Sequence, residues 1–321
     1  MLEVTGLSLS LPDYSRKPPF GAPPTIDILH GVDLSVSAGD AVGIVGESGS
    51  GKTTLGRTLI RLHRPTAGRI VFLDQDITDL REAALRPFRS QFQMIFQDPQ
   101  SSLNPRHTVA RIIAQPLRVY GRVKTATEAR RLVDALLERV ALRPVHGDRY
   151  PHELSGGQRQ RVGIARALAV EPEFIICDEA VSALDVSIQA QVINLLEDLR
   201  ERFDLTYLFI SHDLSVVHHL CHRVAVMYLG HMVELAETEE LFANPMHPYT
   251  QALLEAVPIP DPTVERARAH QIIKGEIPSP INPPPGCVFH PRCPKAVDGC
   301  KVNMPVLREV KPGHWVACTE V

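Results

Sequence analysis

The sequence has no long apolar run and no dominant charge, and its first residues do not show the pattern of a secretory signal. No apolar run approaches the roughly 18 residues that a membrane helix needs, so we expect no transmembrane segment. The 34 Lys and Arg nearly balance the 37 Asp and Glu, and the net charge of -3 argues against a globally basic nucleic-acid-binding protein. The start, Met1 to Val4, has no basic stretch before an apolar one, so we expect a cytoplasmic protein.

Cysteine is sparse through most of the chain and concentrated near its end. Cys177 and Cys221 stand alone. The other four, called the tail cysteines here, are Cys287, Cys293, Cys300 and Cys318. In a reducing compartment such a cluster is more often metal-binding or redox-active than disulfide-forming. Its spacing matches neither a zinc ribbon nor a bacterial ferredoxin, so metal ligation and four buried thiols both remain open.

Patterns of apolar residues predict an α/β fold that a helical region interrupts. Alternation from Leu2 to Leu11 indicates a strand, and the apolar run at 41–45 is typical of a buried parallel strand. Further strands are predicted at 69–73, 92–96, 173–177, 206–210 and 223–228. Between about 98 and 170 the spacing is helical, and the proline-rich stretch 258–285 predicts an extended linker.

The stretch from Gly46 matches the phosphate-loop pattern, with an apolar strand before it and a helix-compatible run after it. The predicted binding residues are Gly46, Glu47, Ser48, Gly49, Ser50, Gly51, Lys52, Thr53 and Thr54. Glycines allow successive backbone N–H groups to face phosphates, and the helix N-terminus adds a favourable dipole. Lys52 is expected to reach the β- and γ-phosphates of a nucleotide, and the Thr53 hydroxyl to bind Mg²⁺.

A pair of acids follows the apolar run at 174–177. Asp178 suits an aspartate that orders Mg²⁺ through water, and Glu179 suits a residue that polarises the attacking water. Such a pair is common at strand ends, and the phosphate loop upstream is what favours the catalytic interpretation.

A second anion site follows Leu154. It consists of Ser155, Gly156, Gly157 and Gln158, which combine a hydroxyl with bare glycine N–H groups at the start of a helix. One nucleotide has a single γ-phosphate, so two such sites in one chain require an explanation.

The string LSGGQRQR at 154–161, with the phosphate loop and FIICDE at 174–179, resembles the nucleotide-binding subunits of ATP-binding-cassette (ABC) transporters. The resemblance covers about residues 1–255, and the motifs occur in the family's order. It implies a P-loop NTPase fold with a parallel sheet core, an antiparallel β subdomain and a helical subdomain at about 98–170. It also implies a head-to-tail dimer, in which the second anion site binds the ATP held by the partner's phosphate loop.

Three more residues take their roles from this resemblance. Gln97 is expected to contact Mg²⁺ and sense the γ-phosphate, His212 to contact the γ-phosphate, and Asp185 to lie at the dimer interface. Together with Glu179, Gln97 and His212 form the predicted catalytic set.

Two positions depart from the family pattern. Leu11 stands where an aromatic residue commonly stacks on adenine, a contact worth about 1–3 kcal/mol for bases on aromatic side chains. Tyr14 or Phe20 could substitute, and Tyr14 is the favoured candidate. Ala180 stands where proline usually follows the catalytic glutamate, and it leaves both acids usable.

The segments 247–254, 275–280 and 283–287 resemble the C-terminal extension of ATPases that serve dipeptide, oligopeptide and nickel importers. Residues 256–321 are therefore predicted to form a small cysteine-rich extension. Members of this family carry a 4Fe-4S cluster here, so the resemblance implies that the tail cysteines ligate one. Tetrahedral Zn²⁺ is the alternative.

The resemblance implies an ATP-hydrolysing subunit of a peptide importer on the cytoplasmic side of the inner membrane, attached peripherally. Its expected partners are a paralogous ATPase in a heterodimer, two membrane permease subunits and an extracytoplasmic solute-binding protein, with no nucleic acid. Nickel or another small solute is the alternative cargo. An ABC ATPase that acts on DNA or ribosomes, and an iron–sulfur regulator with a decayed ATPase, are disfavoured.

Overall fold

A computed structural model describes residues 1–18, 20–257 and 275–321. Its strands are β1 (Leu2–Pro12), β2 (Thr25–Val36), β3 (Ala41–Val45), β4 (Ala67–Phe72), β5 (Gln75–Asp76), β6 (Phe92–Ile95), β7 (Phe174–Asp178), β8 (Thr206–Ile210), β9 (Arg223–Tyr228), β10 (His231–Glu237), β11 (Arg308–Lys311) and β12 (His314–Val316). Residues 258–274 of the predicted linker lie outside the described residues.

The α-helices follow the same chain order. They are α1 (Lys52–Leu59), α2 (Glu82–Leu85), α3 (Phe88–Gln91), α4 (Pro99–Ser102), α5 (Val109–Val119), α6 (Ala126–Arg139), α7 (Gly156–Leu168), α8 (Val186–Phe203), α9 (Leu214–Leu220), α10 (Thr238–Ala243) and α11 (Pro248–Glu255). No helix among the described residues combines the length and the apolar character that crossing a membrane requires.

The strands confirm the sequence predictions wherever a continuous apolar run marked them. All five residues of β3 are buried, as a parallel strand covered on both faces requires. The strands β4, β6, β7, β8 and β9 fall within two residues of their predicted bounds, and α1 begins at Lys52.

The chain divides into two compact units. The first contains residues 1–36, 42–79 and 211–321, and the second contains residues 37–41 and 80–210.

The first unit contains an antiparallel sheet in the order β2-β1-β4-β5. Residues Leu2, Val4, Leu7 and Leu9 of β1 are buried, which confirms the predicted alternation. A second set of strands has the order β11-β12-β10-β9-β3, and only the β9–β3 pair among them is parallel.

A hairpin from the C-terminal tail, residues 275–321, extends this second set of strands. Strand β12 pairs antiparallel with β10, and Trp315 lies opposite Leu235. His314 Nε2 lies 2.7 Å from Glu234 Oε1, and both side chains are fully buried. This hairpin could not be predicted from the sequence, because its strands are short and Arg308–Lys311 is mostly charged.

The second unit contains three parallel strands in the order β8-β7-β6. Between 98 and 170, the elements described are helices. Helix α6 begins after Thr125, whose hydroxyl accepts a hydrogen bond from the Glu128 N–H at 3.2 Å. One face of α6 buries Ala129, Val133, Leu136 and Leu137, as the three- and four-residue spacing predicts.

Candidate nucleotide-binding site

The phosphate loop follows β3 and folds around the ammonium group of Lys52. Lys52 Nζ donates to the carbonyl oxygens of Gly46 at 2.8 Å and Glu47 at 2.9 Å, and to Ser50 Oγ at 3.4 Å. Gly46 has φ 150°, and a Cβ there would lie 2.2 Å from the Met227 carbonyl oxygen. Glycine is therefore required at this position to let two backbones approach.

The tip of the loop is open to solvent. Ser48 and Gly49 are exposed, while Thr53 and Thr54 are half-buried in the first turn of α1. Gly51, with φ 100°, starts this helix. The first N–H groups of a helix lack intrahelical partners, so this turn presents donors to an anion.

His212 lies in the first unit, as the loop does. Its neighbour Ser211 donates its N–H to the Ile44 carbonyl oxygen at 3.1 Å, which fixes the turn beside β3. Asp213 accepts from the Ser215 N–H at 2.9 Å and starts α9. The backbone on both sides of the exposed His212 side chain is thus held.

Tyr14, the predicted adenine-stacking residue, lies in a short 3-10 helix at Tyr14–Arg16. Its side chain is 71% exposed, and that of Phe20 is 94% exposed. Both rings present a free surface, so exposure does not discriminate between them, and the assignment to Tyr14 stays a prediction.

The two predicted acids lie at the carboxyl end of β7 in the second unit. Asp178 is 2% exposed, and Glu179 turns out of the strand with φ 47°. A left-handed φ at a non-glycine residue costs about 1–3 kcal/mol and is concentrated at functional sites. Gln97 Nε2 donates to Glu179 Oε2 at 2.6 Å, so the structure brings together two residues of the predicted catalytic set.

The second anion site starts helix α7 with a reciprocal cap. The Gln158 N–H donates to Ser155 Oγ at 3.3 Å, and the Ser155 N–H donates to Gln158 Oε1 at 3.1 Å. A Cβ on Gly157 would lie 2.4 Å from Ile188 Cγ2, so this glycine lets α7 approach α8 closely. Ser155 and Asp185 are exposed.

Two contacts of the phosphate loop were missed by sequence reasoning. The Glu47 N–H donates to Tyr249 Oη at 2.7 Å, and Arg292 donates to both carboxylate oxygens of Glu47 at 2.6 and 3.0 Å. Tyr249 belongs to the segment 247–254, which resembles the C-terminal extension of importer ATPases, but no residue near it in sequence indicates a contact with the loop. Arg292 lies between two tail cysteines, with no motif of its own.

Two protein-family models match successive parts of the chain. The family model described as ABC transporter matches residues 29–182, and the model described as oligopeptide/dipeptide transporter, C-terminal region, matches residues 233–300. The oligopeptide transport ATP-binding protein AppF of Bacillus subtilis (strain 168) is 56% identical over 294 residues, covering 91% of this chain and 89% of AppF. OppF of Salmonella typhimurium, another oligopeptide transport ATP-binding protein, is 50% identical over 322 residues, covering 100% of this chain and 96% of OppF.

The chain belongs to the ABC transporter ATPase family.

A solved cassette confirms the ABC ATPase fold predicted from the motifs. The ATP-binding cassette MJ0796, a dimer in a post-hydrolysis state bound to ADP and Pi, matches with a TM-score of 0.66 and 28% identity. The match covers 74% of this chain and 99% of that chain. The chain is thus an ABC ATPase.

Electrostatic interactions link the Cys287 thiol of this ABC ATPase to the other three tail cysteines. Burial raises the pKa of the Cys287 thiol, and the other three tail cysteines raise that pKa further. Burial also raises the pKa of Cys293 and of Cys318. The Cys287 N–H donates to the Cys300 carbonyl oxygen at 2.8 Å. However, within residues 1–18, 20–257 and 275–321 no three His, Cys, Asp or Glu side chains are arranged to hold a metal ion, so the predicted cluster is not confirmed.

Proposed function

We propose that this chain is the ATP-binding and ATP-hydrolysing subunit of a peptide importer, and that it energises translocation through separate membrane subunits. The observation that carries the ATPase assignment is the contact between Gln97 and Glu179 at the end of a buried strand. The peptide cargo is supported by the match to the oligopeptide/dipeptide transporter C-terminal region and by relatives named for oligopeptide transport.

The proposed ATP site uses residues 46–54, Asp178 and Tyr14. Backbone N–H groups of the loop and Lys52 bind the phosphates, and Tyr14 stacks on adenine. Hydroxyl, amide and carboxylate oxygens suit Mg²⁺, so Thr53 and Gln97 would hold it, with Asp178 ordering it through water. Bound Mg²⁺ supplies charge neutralisation at the phosphate oxygens.

Hydrolysis is assigned to three side chains. Glu179 polarises the attacking water and takes its proton, and Gln97 orients the Glu179 carboxylate through the 2.6 Å hydrogen bond. His212 donates a hydrogen bond to the γ-phosphate, where negative charge is concentrated.

The proposed assembly is a head-to-tail heterodimer with a paralogous ATPase. Ser155, Gly156, Gly157 and Gln158 bind the partner's ATP, and the exposed Asp185 lies at the interface. Two permease subunits and an extracytoplasmic solute-binding protein complete the importer, and this subunit lies at the cytoplasmic side of the membrane. Within the chain, we propose a cassette at 1–255, with its helical subdomain at about 98–170, and an extension at 256–321.

An uptake assay on the complete importer tests the proposed cargo. Proteoliposomes containing all subunits and the binding protein are offered labelled di- and oligopeptides, and in parallel labelled nickel. We expect ATP-dependent peptide uptake that is lost in Lys52→Ala. Nickel uptake without peptide uptake would assign the alternative cargo, and association with ribosomes or DNA in place of permeases would refute transport.

We also propose that the tail cysteines ligate a 4Fe-4S cluster, with Zn²⁺ as the alternative. The support is that the other three tail cysteines raise the pKa of the buried Cys287 thiol, and that four thiolates suit either group. The test is metal and sulfide analysis of full-length protein purified anaerobically. We expect iron and sulfide in equal amounts, lost in Cys293→Ser and retained in the control Cys221→Ser. Zinc without sulfide would favour the alternative, and metal-free protein would refute ligation.

A further inference from the structure

Arg292 connects the C-terminal tail to the phosphate loop. Its two terminal nitrogens lie 2.6 and 3.0 Å from the two carboxylate oxygens of Glu47, which is 245 positions away in sequence. The Arg292 side chain is only 6% exposed, and that of Glu47 is 24% exposed. A two-point contact between a guanidinium and a carboxylate fixes orientation as well as distance, particularly when water is mostly excluded.

An aromatic cluster holds Arg292 in this position. The cluster consists of Tyr228, Tyr249 and Phe289, which are at most 1% exposed. Tyr228 and Tyr249 have ring centroids 4.7 Å apart, and Phe289 lies 5.3 Å from each of them. Arg292 also donates to Tyr228 Oη at 3.3 Å. Phe289 therefore anchors the tail three residues before the arginine that reaches the loop.

The contact continues from Glu47 into the part of the loop that binds phosphates. The Glu47 N–H donates to Tyr249 Oη at 2.7 Å, and the Glu47 carbonyl oxygen accepts from Lys52 Nζ at 2.9 Å. The side chain, the N–H and the carbonyl of this one residue are thus all engaged. A displacement of its side chain would be transmitted to the orientation of the peptide groups on both sides.

We propose that Arg292 is a positioning residue for ATP, and that through Glu47 the C-terminal tail sets the ATP affinity of the phosphate loop. The proposal rests on the proposed role of residues 46–54 in binding ATP. Arg292 acts through Glu47, so its effect falls on the affinity for ATP and leaves the chemical step intact. Because coupling between two sites is reciprocal, bound ATP must also tighten the tail on the loop.

The first measurement is the ATP affinity of the full-length chain, from the Kd of a fluorescent ATP analogue, beside kcat at saturating ATP. We expect Arg292→Met to raise the Kd about 10- to 100-fold, the range for loss of charge-assisted hydrogen bonds, with kcat within about threefold. Glu47→Gln should weaken binding similarly, and the double variant should be no weaker than either single variant. Arg292→Lys, which keeps the charge but not the two-point geometry, should lie in between.

The matched control is Lys311→Met. Lys311 also joins the tail to the rest of the first unit by an ion pair, with Glu240 at 3.3 Å, and this pair does not include the loop. We expect its Kd for ATP to equal that of the wild type. An unchanged Kd in folded Arg292→Met, an equal loss in Lys311→Met, or additive effects of Glu47→Gln and Arg292→Met would each overturn the proposal. If Arg292→Met does not fold, Arg292→Lys and Glu47→Gln carry the same test.

A second measurement separates positioning from a purely structural contribution. Amide hydrogen exchange at residues 287–293 should slow when a non-hydrolysable ATP analogue and Mg²⁺ are added to the wild type, and should not respond in Arg292→Met. No response in the wild type would overturn the proposal. Lys52→Ala distinguishes failure of the proposed ATP site from failure of the proposed role of Arg292. ATP binding that survives in Lys52→Ala refutes the ATP site itself. Loss in Lys52→Ala with normal binding in Arg292→Met refutes only the role of Arg292.

Discussion

The phosphate loop and the C-terminal tail are stabilised by contacts of very different reach along the chain. Within the loop, Lys52 bonds to carbonyl oxygens five and six residues before it. In the tail, Arg292 bonds to a residue 245 positions away, and His314 to one 80 positions away. The loop thus obtains its shape from its neighbours in sequence, whereas the tail obtains its shape from partners that only the complete fold supplies.

The largest expected effect concerns the distant contacts of the tail. Glu234 accepts hydrogen bonds from His314, from the Met246 N–H at 2.7 Å and from the His247 N–H at 3.0 Å. His314→Ala removes one hydrogen-bond partner of the fully buried Glu234 side chain and leaves a cavity in place of the buried ring, so we expect a loss of about 3–5 kcal/mol in the free energy of unfolding. Denaturant titration of the full-length chain measures it.

The control for this change is again Lys311→Met, because the Lys311–Glu240 pair is partly exposed. Exposed ion pairs contribute about 0–1 kcal/mol, so the control should remain close to the wild type. Equal losses in His314→Ala and Lys311→Met would show that the buried contact does not dominate the attachment of the tail.

The next effect concerns the local geometry of the loop. Gly46→Ala places a Cβ 2.2 Å from the Met227 carbonyl oxygen, in a backbone conformation that favours glycine. We expect the free loop to relax away from this geometry, and readopting it to bind ATP to cost about 3 kcal/mol, which makes ATP binding about 100-fold weaker. The matched variant is Gly163→Ala inside α7, where a Cβ meets nothing within 4 Å. Normal ATP binding in Gly46→Ala would contradict the loop geometry.

The smallest effect compares two local caps. Ser155 caps α7 and Thr125 caps α6, each accepting a hydrogen bond from the N–H three residues on. Replacing either by alanine should cost about 1 kcal/mol of stability. Only Ser155→Ala should also lower ATP hydrolysis in the assembled importer, because only that cap belongs to the proposed ATP-binding surface. A similar loss of hydrolysis in Thr125→Ala would assign both effects to stability alone.

The same difference in sequence separation between contacting residues explains what could be predicted from the sequence. Buried parallel strands such as β3 and β7 are continuous apolar runs, and the loop chemistry of Gly46 and Lys52 lies within a few residues, so both were predicted. The ABC ATPase fold could be predicted because its motifs are short and occur in the family's order, and the similarity to a solved cassette confirms it.

The hairpin β11–β12 and the Arg292–Glu47 pair could not be predicted in this way. Their sequences show no periodic spacing of apolar residues. The hairpin is stabilised by strand β10, and the Arg292–Glu47 pair by an aromatic cluster assembled from distant parts of the chain. Composition draws attention to the tail cysteines, but it does not fix the arrangement of the four sulfur atoms, so their ligation of a metal stays a prediction.

The most direct test of the central claim is ATP turnover by Glu179→Gln in the assembled importer. Glutamine keeps the size of the side chain but cannot take a proton from water. We predict ATP affinity within about threefold of the wild type and turnover reduced by about 10²- to 10⁴-fold, the usual contribution of a general base. Turnover close to that of the wild type would contradict the assignment of hydrolysis to Glu179.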